Sequence, residues 1–220
     1  MLPTASSEFI VPPIFDHAVV FIWAVSGAIV GVRKGFDIMG VAVVALVSAV
    51  GGGLLRDGFF LQRTPPILTD GAYLPVILAA TLAVIVAQRG FGLLPPQNLT
   101  DRLIGVIDAL GTPAYAVIGM QLAFAGGLPL PGVLLVGFVN GAGGGLLRDV
   151  LVRDVPALFQ PGGYAATVVL LACCLFIGLV AEAGVPHVAA ALIVIPAAFV
   201  TRLLTIRFNW RTQPILRRPE

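Results

Sequence analysis

The chain has 220 residues, of which 58% are hydrophobic and only 11% charged, and its mean hydropathy is +1.01. Soluble domains carry about 25% charged residues, so too few polar groups remain here to coat one or two soluble domains. The formal charge of +2 gives no basis for a nucleic-acid partner.

A helix needs roughly 20 mostly apolar residues to cross a bilayer, and the chain offers seven such stretches. The first runs from about Asp16 to Val32 and stops at Arg33-Lys34. No basic region precedes it and no small-residue cleavage pattern follows, so it reads as a retained helix rather than a signal peptide. The second begins near Phe36 and is apolar through Leu55. The third runs from Ala72 to Ala87 and is ended by Gln88-Arg89-Gly90 and Pro95-Pro96. The fourth spans about Leu103 to Ala125, the fifth Leu130 to Leu147, the sixth Tyr164 to Val180 and the seventh Val185 to Leu204. Cys173 and Cys174, the only cysteines, adjoin in the sixth stretch and read as two small buried residues. Neighbouring helix positions point in different directions, which argues against a metal site or disulfide.

Seven spans put the termini on opposite sides of the membrane. With the N-terminus outside, cytoplasmic segments hold Arg33, Lys34, Arg89, Arg102, Arg148, Arg153 and the tail arginines 202, 207, 211, 217 and 218. That is eleven of the thirteen basic residues, leaving Arg56 and Arg63 outside. The excess of basic residues on the inner side therefore predicts an inner-membrane protein with its N-terminus outside and its C-terminus cytoplasmic. Trp210 fits an interfacial anchor, and the tail arginines offer contacts to anionic membrane lipids.

Gly51-Gly52-Gly53-Leu54-Leu55-Arg56-Asp57 recurs word for word as Gly143-Gly144-Gly145-Leu146-Leu147-Arg148-Asp149, an offset of 92 residues. The same offset pairs Asp16 with Asp108, Gly27 with Gly119, Gly40 with Gly132, Gly71 with Gly163, and polar Ser48 with Asn140. Duplication of a three-span unit follows. Three is odd, so the second copy enters the membrane from the opposite face and the copies are inverted. The predicted fold is an all-α membrane protein of two inverted three-helix repeats plus a seventh helix, with kinked second and fifth helices. The chain divides into a first repeat (residues 16–90), a second (108–181), the seventh helix (185–205) and a basic cytoplasmic tail (206–220).

Each glycine forfeits about 1 kcal/mol of helix propensity relative to alanine, so a triplet forfeits roughly 3 kcal/mol. Single glycines such as Gly27, Gly40, Gly119 and Gly132 suit close helix packing. Triplets at matching positions of both halves go beyond that and point to kinked or unwound helix beside a watery cavity, where freed carbonyls are tolerated. The alternative is packing alone. A soluble phosphate-binding loop is a poor match, for want of its strand and lysine.

The Arg-Asp pairs admit two placements, at the membrane surface if the helices end near Leu55 and Leu147, or inside it if they continue through Leu61 and Val152. A helix from Phe36 to Leu61 is long enough to span with tilt, which favours the second. Adjacent residues on a helix do not face each other, so each arginine is expected to pair with a neighbouring helix. Asp57 and Asp149 would then flank a midplane constriction, raising local cation concentration while carbonyls replace part of an ion's hydration. The candidate pathway residues are Ser48, Gly51, Gly52, Gly53, Arg56 and Asp57, with Asn140, Gly143, Gly144, Gly145, Arg148 and Asp149. Asp16 and Asp108 read better as helix N-caps.

His17 and His187 lie near span ends without metal-ligand spacing, no embedded nucleophile–base pair is evident, and no nucleotide motif is present. No enzyme, no cofactor and no tightly bound metal are expected, beyond transient potassium or sodium near the triplets.

Seven spans, a duplicated three-helix unit and GGGLLRD in both central helices resemble the prokaryotic branch of the trimeric intracellular cation channels, also labelled a glycine-transporter domain and long filed as an uncharacterised membrane family. The resemblance covers about Asp16 to Thr205. It implies a homotrimer with a potassium-permeable, monovalent-cation pore in each protomer between the two repeats, and central helices kinked around Gly51–Gly53 and Gly143–Gly145. The Lys-Glu-Val headgroup motif of animal members is missing, so phosphoinositide regulation is not carried over. Two other functions remain: a secondary transporter of a small solute such as glycine, and a membrane scaffold whose glycines only pack helices.

Overall fold

The computed structural model describes residues 13–94, 96–160, 164–210 and 212. Gly163, the repeat partner of Gly71, and Arg211, Arg217 and Arg218 of the basic tail lie outside the described residues. In chain order the helices are α1 (Pro13–Arg33), α2 (Ile38–Leu54, continued by a π-helical stretch Leu55–Phe60), short α3 (Pro66–Thr69), α4 (Tyr73–Phe91), α5 (Gln97–Ala125), α6 (Leu130–Leu151), α7 (Ala165–Ile177, continued as π-helix Gly178–Glu182) and α8 (His187–Arg207). All but α3 belong to spans long and apolar enough to cross a membrane, seven among the described residues.

Local chemistry sets the ends. The Asp37 carboxylate caps α2 by accepting the Gly40 N–H at 2.7 Å. Gly92, in the left-handed region at φ 62°, closes α4. α5 starts at Gln97, six residues ahead of the stretch expected from hydropathy, because Pro96 opens the helix and the polar turns that follow need no apolar environment. The two halves have separate cores. Val41, Ala45 and Ile77 centre the first, while Val117, Val136 and Phe176 centre the second, joined by Ala190 and Val194 of α8. Leu74, Leu78, Leu82 and Val86 leave one apolar face of α4 exposed, the pattern of a lipid- or partner-facing helix. Cys173 is buried and Cys174 exposed. The expectation of two buried cysteines is corrected by the roughly 100° between successive helix positions.

The halves meet where α2 crosses α6, and the contact is reciprocal. A Cβ built on Gly52 would lie 2.3 Å from the Asn140 carbonyl oxygen, and one on Gly144 would lie 2.6 Å from the Ser48 carbonyl oxygen. Gly51 faces Leu147 at 3.0 Å, and Gly143 faces Leu55 at 3.3 Å. The later residue of one helix meets the earlier residue of the other in every pair, so α2 and α6 run antiparallel about a pseudo-two-fold axis. Gly27 and Gly119 repeat the theme, each too close to α2 or α6 for a side chain. Gly40 and Gly132 do not: their nearest neighbours are Phe36 and Leu128, in the turn that starts their own helix. Interhelical packing was the wrong reading for these two.

Both triplets remain helical, so the unwinding expected there is not found. The departure from α geometry comes after the first triplet. Left-handed Gln62 (φ 50°) and Arg153 (φ 60°) end the two helices 91 residues apart, one short of the repeat offset. The first copy thus carries one extra residue between its aspartate and its turn, and the wider π turn absorbs it.

These contacts predict opposite outcomes for neighbouring glycines. Gly52→Ala should lower the thermal midpoint of the purified protein markedly, because the new methyl overlaps backbone on another helix. Gly53→Ala meets nothing closer than the tip of Arg56 at 3.7 Å and should hold or raise the midpoint, gaining up to about 1 kcal/mol of helix propensity. Equal midpoints would refute the assignment.

Candidate functional site

Behind the crossing lies one cavity of about 1070 Å³ between the two halves. Its lining reaches from Asp16 and His17 near the start of α1 to Arg33 and Lys34 at its end, a rise of roughly 24 Å at 1.5 Å per residue. That approaches the ~30 Å of a bilayer's hydrocarbon core.

The candidate pathway residues divide into three groups. Ser48, Gly52, Gly53, Arg56, Asn140, Gly144, Gly145, Arg148 and Asp149 line the cavity. Gly51 and Gly143 are spent on the helix crossing, and Asp57 is buried behind the wall with no exposed surface. The triplet therefore has three different tasks: the first glycine receives a leucine, the second a carbonyl, and the third opens toward its own arginine, with Arg148 Nη2 3.9 Å from a Cβ on Gly145.

The helices do continue past the Arg-Asp pairs, but the pairing differs from expectation. Arg56 grips its own neighbour, with Nε donating to Asp57 Oδ1 at 2.7 Å and Nη2 to Oδ2 at 2.5 Å. Its remaining Nη1 reaches Asn140 Oδ1 on α6 at 3.2 Å. Arg148 likewise bonds Asp149 Oδ1, through Nε at 2.9 Å, and sends Nη1 to Ser26 Oγ at 3.1 Å. The arginine stem is long enough to double back, and an adjacent carboxylate neutralises a buried guanidinium without recruiting a charge from another helix. Neighbouring helices supply neutral acceptors instead.

The copies differ beyond this. Asp57 takes a second guanidinium, Arg63 Nε at 2.6 Å, which completes its enclosure. Asp149 takes the Ala157 backbone N–H at 3.1 Å in that role and stays on the cavity surface. A symmetric pair of aspartates flanking a constriction is therefore not the arrangement: Asp149 faces the cavity and Asp57 does not.

Asp16 and Asp108 are not N-caps. Asp16 points into the space between the halves and accepts hydrogen bonds from the hydroxyls of Tyr73 and Tyr115. Asp108 lies inside α5, hydrogen-bonded to Trp23 and facing Arg148 and Arg202. Sequence reasoning missed Tyr73, Tyr115, Trp23, Arg63 and Arg202 as cavity residues. A usable signal existed for two of them, since the repeat offset pairs Trp23 with Tyr115, and their rings touch with centroids 4.8 Å apart.

The ends of the cavity are tied by polar contacts. At the basic end, Lys34 Nζ meets Asp154 Oδ1 at 2.6 Å, and Arg33 bonds Gln97 and Thr100 of α5. At the other end His17 Nε2 lies 2.8 Å from Asp70 Oδ2. The Ala72 backbone N–H, and then His17, hold the Asp70 carboxyl below its ordinary range. Among the described residues no cluster of histidine, cysteine and carboxylate suited to a metal is found.

The Glycine transporter family model matches residues 13–89 and again residues 105–181, two copies starting 92 residues apart. The chain belongs to this family, that of the TRIC channels. Family relatives include a UPF0126 membrane protein of Deinococcus radiodurans, 38% identical over 62% of this chain and 61% of that protein. The UPF0126 inner membrane protein YadS of Escherichia coli K12 is 31% identical over 86% of this chain and 88% of its own length. Among solved structures, a TRIC cation channel superposes with a TM-score of 0.81 at 26% identity, covering 96% of this chain and 100% of that one. The TRIC trimeric intracellular cation channel orthologue from Rhodobacter sphaeroides follows at 0.75 and 29%, covering 89% and 97%.

Within the family fold, the buried pairs should dominate stability. Asp57→Ala strands Arg56 in a buried site, where breaking an ion pair costs about 3–5 kcal/mol. Arg63→Gln removes a half-exposed partner and leaves the Arg56–Asp57 grip in place. Thermal unfolding in detergent should show a large drop for the first and a small one for the second.

Proposed function

We propose that this chain is a channel for monovalent cations, potassium among them, with the conduction pathway running through its own cavity between the inverted repeats. The single observation that carries this reading is the reach of that cavity along α1, from Asp16 to Arg33 and Lys34, over most of a membrane's thickness. The TRIC channels it resembles are cation channels, which supports the same conclusion.

In this reading the third glycines, Gly53 and Gly145, keep the pathway open, since any side chain there enters the cavity. The arginines Arg56 and Arg148 keep their carboxylate partners, so they line the path without a free positive charge to repel cations. Asp149 is the carboxylate of the two repeated pairs that meets the permeating ion. The remaining candidate residues, Gly51, Gly143 and Asp57, act by holding the wall. By analogy with its relatives the protein assembles as a homotrimer with one pathway per protomer. Its basic end, with Arg33, Lys34, Arg202 and Arg207, faces the cytoplasm, leaving the N-terminus outside.

A second reading, secondary transport of a small zwitterion such as glycine, draws on the carboxylates and guanidiniums that share the cavity. Planar-bilayer recordings separate the two. Purified protein should give unitary current steps that reverse near the potassium equilibrium potential, and Gly53→Leu should cut their amplitude severely. Asp149→Asn should lower conductance about twofold to tenfold in dilute salt, where a wall charge concentrates cations most. Saturable uptake of labelled glycine with no current steps would replace the channel by the transporter.

A further inference from the structure

Resting on the channel reading, we infer that Asp16, Tyr73 and Tyr115 form an oxygen-lined site for a partly dehydrated monovalent cation, and that the pathway is chemically unequal in its two halves.

The three residues come from α1, α4 and α5 and so bridge both repeats. Tyr115 donates its hydroxyl to Asp16 Oδ1, and Tyr73 donates to Oδ2. All three line the cavity. Each phenol gives its one proton to the carboxylate, and its oxygen lone pairs remain available as acceptors, as do further lone pairs on the carboxylate. The result is four oxygens around one formal negative charge. Oxygen ligands are what a hard cation requires when it sheds water. Packing fixes the hydroxyls in place: Tyr115 lies against Trp23, and the His17 ring meets Tyr73 edge-on with centroids 5.1 Å apart. The nearby guanidinium of Arg56 is held by both oxygens of Asp57.

The internal duplication supplies a control. At the repeat offset of 92, Asp16 becomes Asp108, Trp23 becomes Tyr115 and Tyr73 becomes Ala165. One tyrosine hydroxyl of the site therefore has no counterpart at all. The other is replaced by the indole of Trp23, which hydrogen-bonds Asp108 and has no oxygen to offer a cation. Asp108 also faces Arg202 from α8, the helix that lies outside the duplication, together with Arg148 and Asp149. Cationic side chains thus stand near Asp108, whereas Asp16 is hydrogen-bonded by two neutral hydroxyls. The two carboxylates of the duplicated pair therefore sit in chemically different surroundings, and that of Asp16 is the one ringed by hydroxyl oxygens.

The test uses the whole purified protein in planar bilayers under a KCl gradient. Wild type should show cation-selective steps. Asp16→Asn should reduce potassium conductance in dilute KCl by about threefold to tenfold and move the reversal potential toward zero. Tyr73→Phe and Tyr115→Phe each keep the charge and lose one oxygen, so each should alter the potassium-to-sodium permeability ratio. Asp108→Asn should change conductance and reversal potential less than Asp16→Asn does. If Asp16→Asn does not assemble, the two tyrosine variants carry the test alone. Wild-type steps with unaltered permeability ratios in both tyrosine variants would overturn the site while leaving the channel intact. An Asp108→Asn effect as large as that of Asp16→Asn would overturn the inequality of the halves. Absence of wild-type current would remove the channel reading, and the site with it.

Discussion

Everything else in the molecule depends on how closely α2 and α6 approach at their crossing. Gly52 sits against the Asn140 carbonyl and Gly144 against the Ser48 carbonyl, a distance that no residue with a Cβ allows without moving the backbone. In a bilayer there is little hydrophobic gain from pressing two apolar helices together, so small residues and direct van der Waals contact supply the attraction. The helix propensity lost at each triplet, roughly 3 kcal/mol, is set against that contact. Because the crossing fixes the register of both helices, it also fixes where the third glycines and the Arg-Asp pairs face. The cavity is in this sense a by-product of the packing: moving either helix out by the width of a methyl group would re-aim the groups that α2 and α6 present to the wall.

The second constraint is charge inside a low-dielectric wall. Arg56 and Arg148 are nearly fully buried, at 6% and 7% exposure, and an isolated guanidinium there would be prohibitively costly. Pairing with the adjacent aspartate solves this within a single turn of chain, so the solution travels with the seven-residue motif when the unit is duplicated. The leftover N–H of each arginine then goes to whatever neutral oxygen the opposite helix presents, Asn140 in one copy and Ser26 in the other. At these two positions charge is thereby confined to a local pair.

Much of this architecture could be read from residues. Composition and apolar length predict seven spans, and an odd number of spans per repeat makes the repeats inverted; the fold agrees on both counts. The offset of 92 is specific because seven consecutive identities mark it. What was not legible follows from the limits of one-dimensional patterns. Periodicity places side chains around a helix but says nothing of a long arginine curling back to its neighbour, so the partner of Arg56 was misassigned. Propensity identifies the triplets as costly without saying whether the cost serves unwinding or contact. Asp16 looked like an N-cap because its true partners, Tyr73 and Tyr115, lie 57 and 99 residues away. Likewise, Asp57 and Asp149 are identical in motif yet differ in access, because one extra residue after Asp57 brings Arg63 onto it.

That last difference shows how a duplicated chain loses its symmetry selectively. A surface that packs against its own inverted copy is self-complementary, as in an isologous dimer: a change at Gly52 must be compatible with Asn140, and the same change at Gly144 with Ser48. The glycines and leucines of the crossing are accordingly identical in the two copies, namely Gly51 with Gly143, Gly52 with Gly144 and Leu55 with Leu147. Positions facing the cavity are mixed: Gly53 and Arg56 match Gly145 and Arg148, while others diverge. Among those that diverge, Trp23 pairs with Tyr115 and Tyr73 with Ala165, while Ser48 and Asn140 carry different side chains on backbones that both serve the crossing. An eighth helix packed on only one half adds Arg202 to that half alone. Identity is thus kept at the glycines of the crossing and at the Arg-Asp pairs, and is lost at several other lining positions. A perfectly two-fold cavity would present the same surface from both ends; the divergence of Trp23 from Tyr115 and of Tyr73 from Ala165 makes the two ends of this one chemically different.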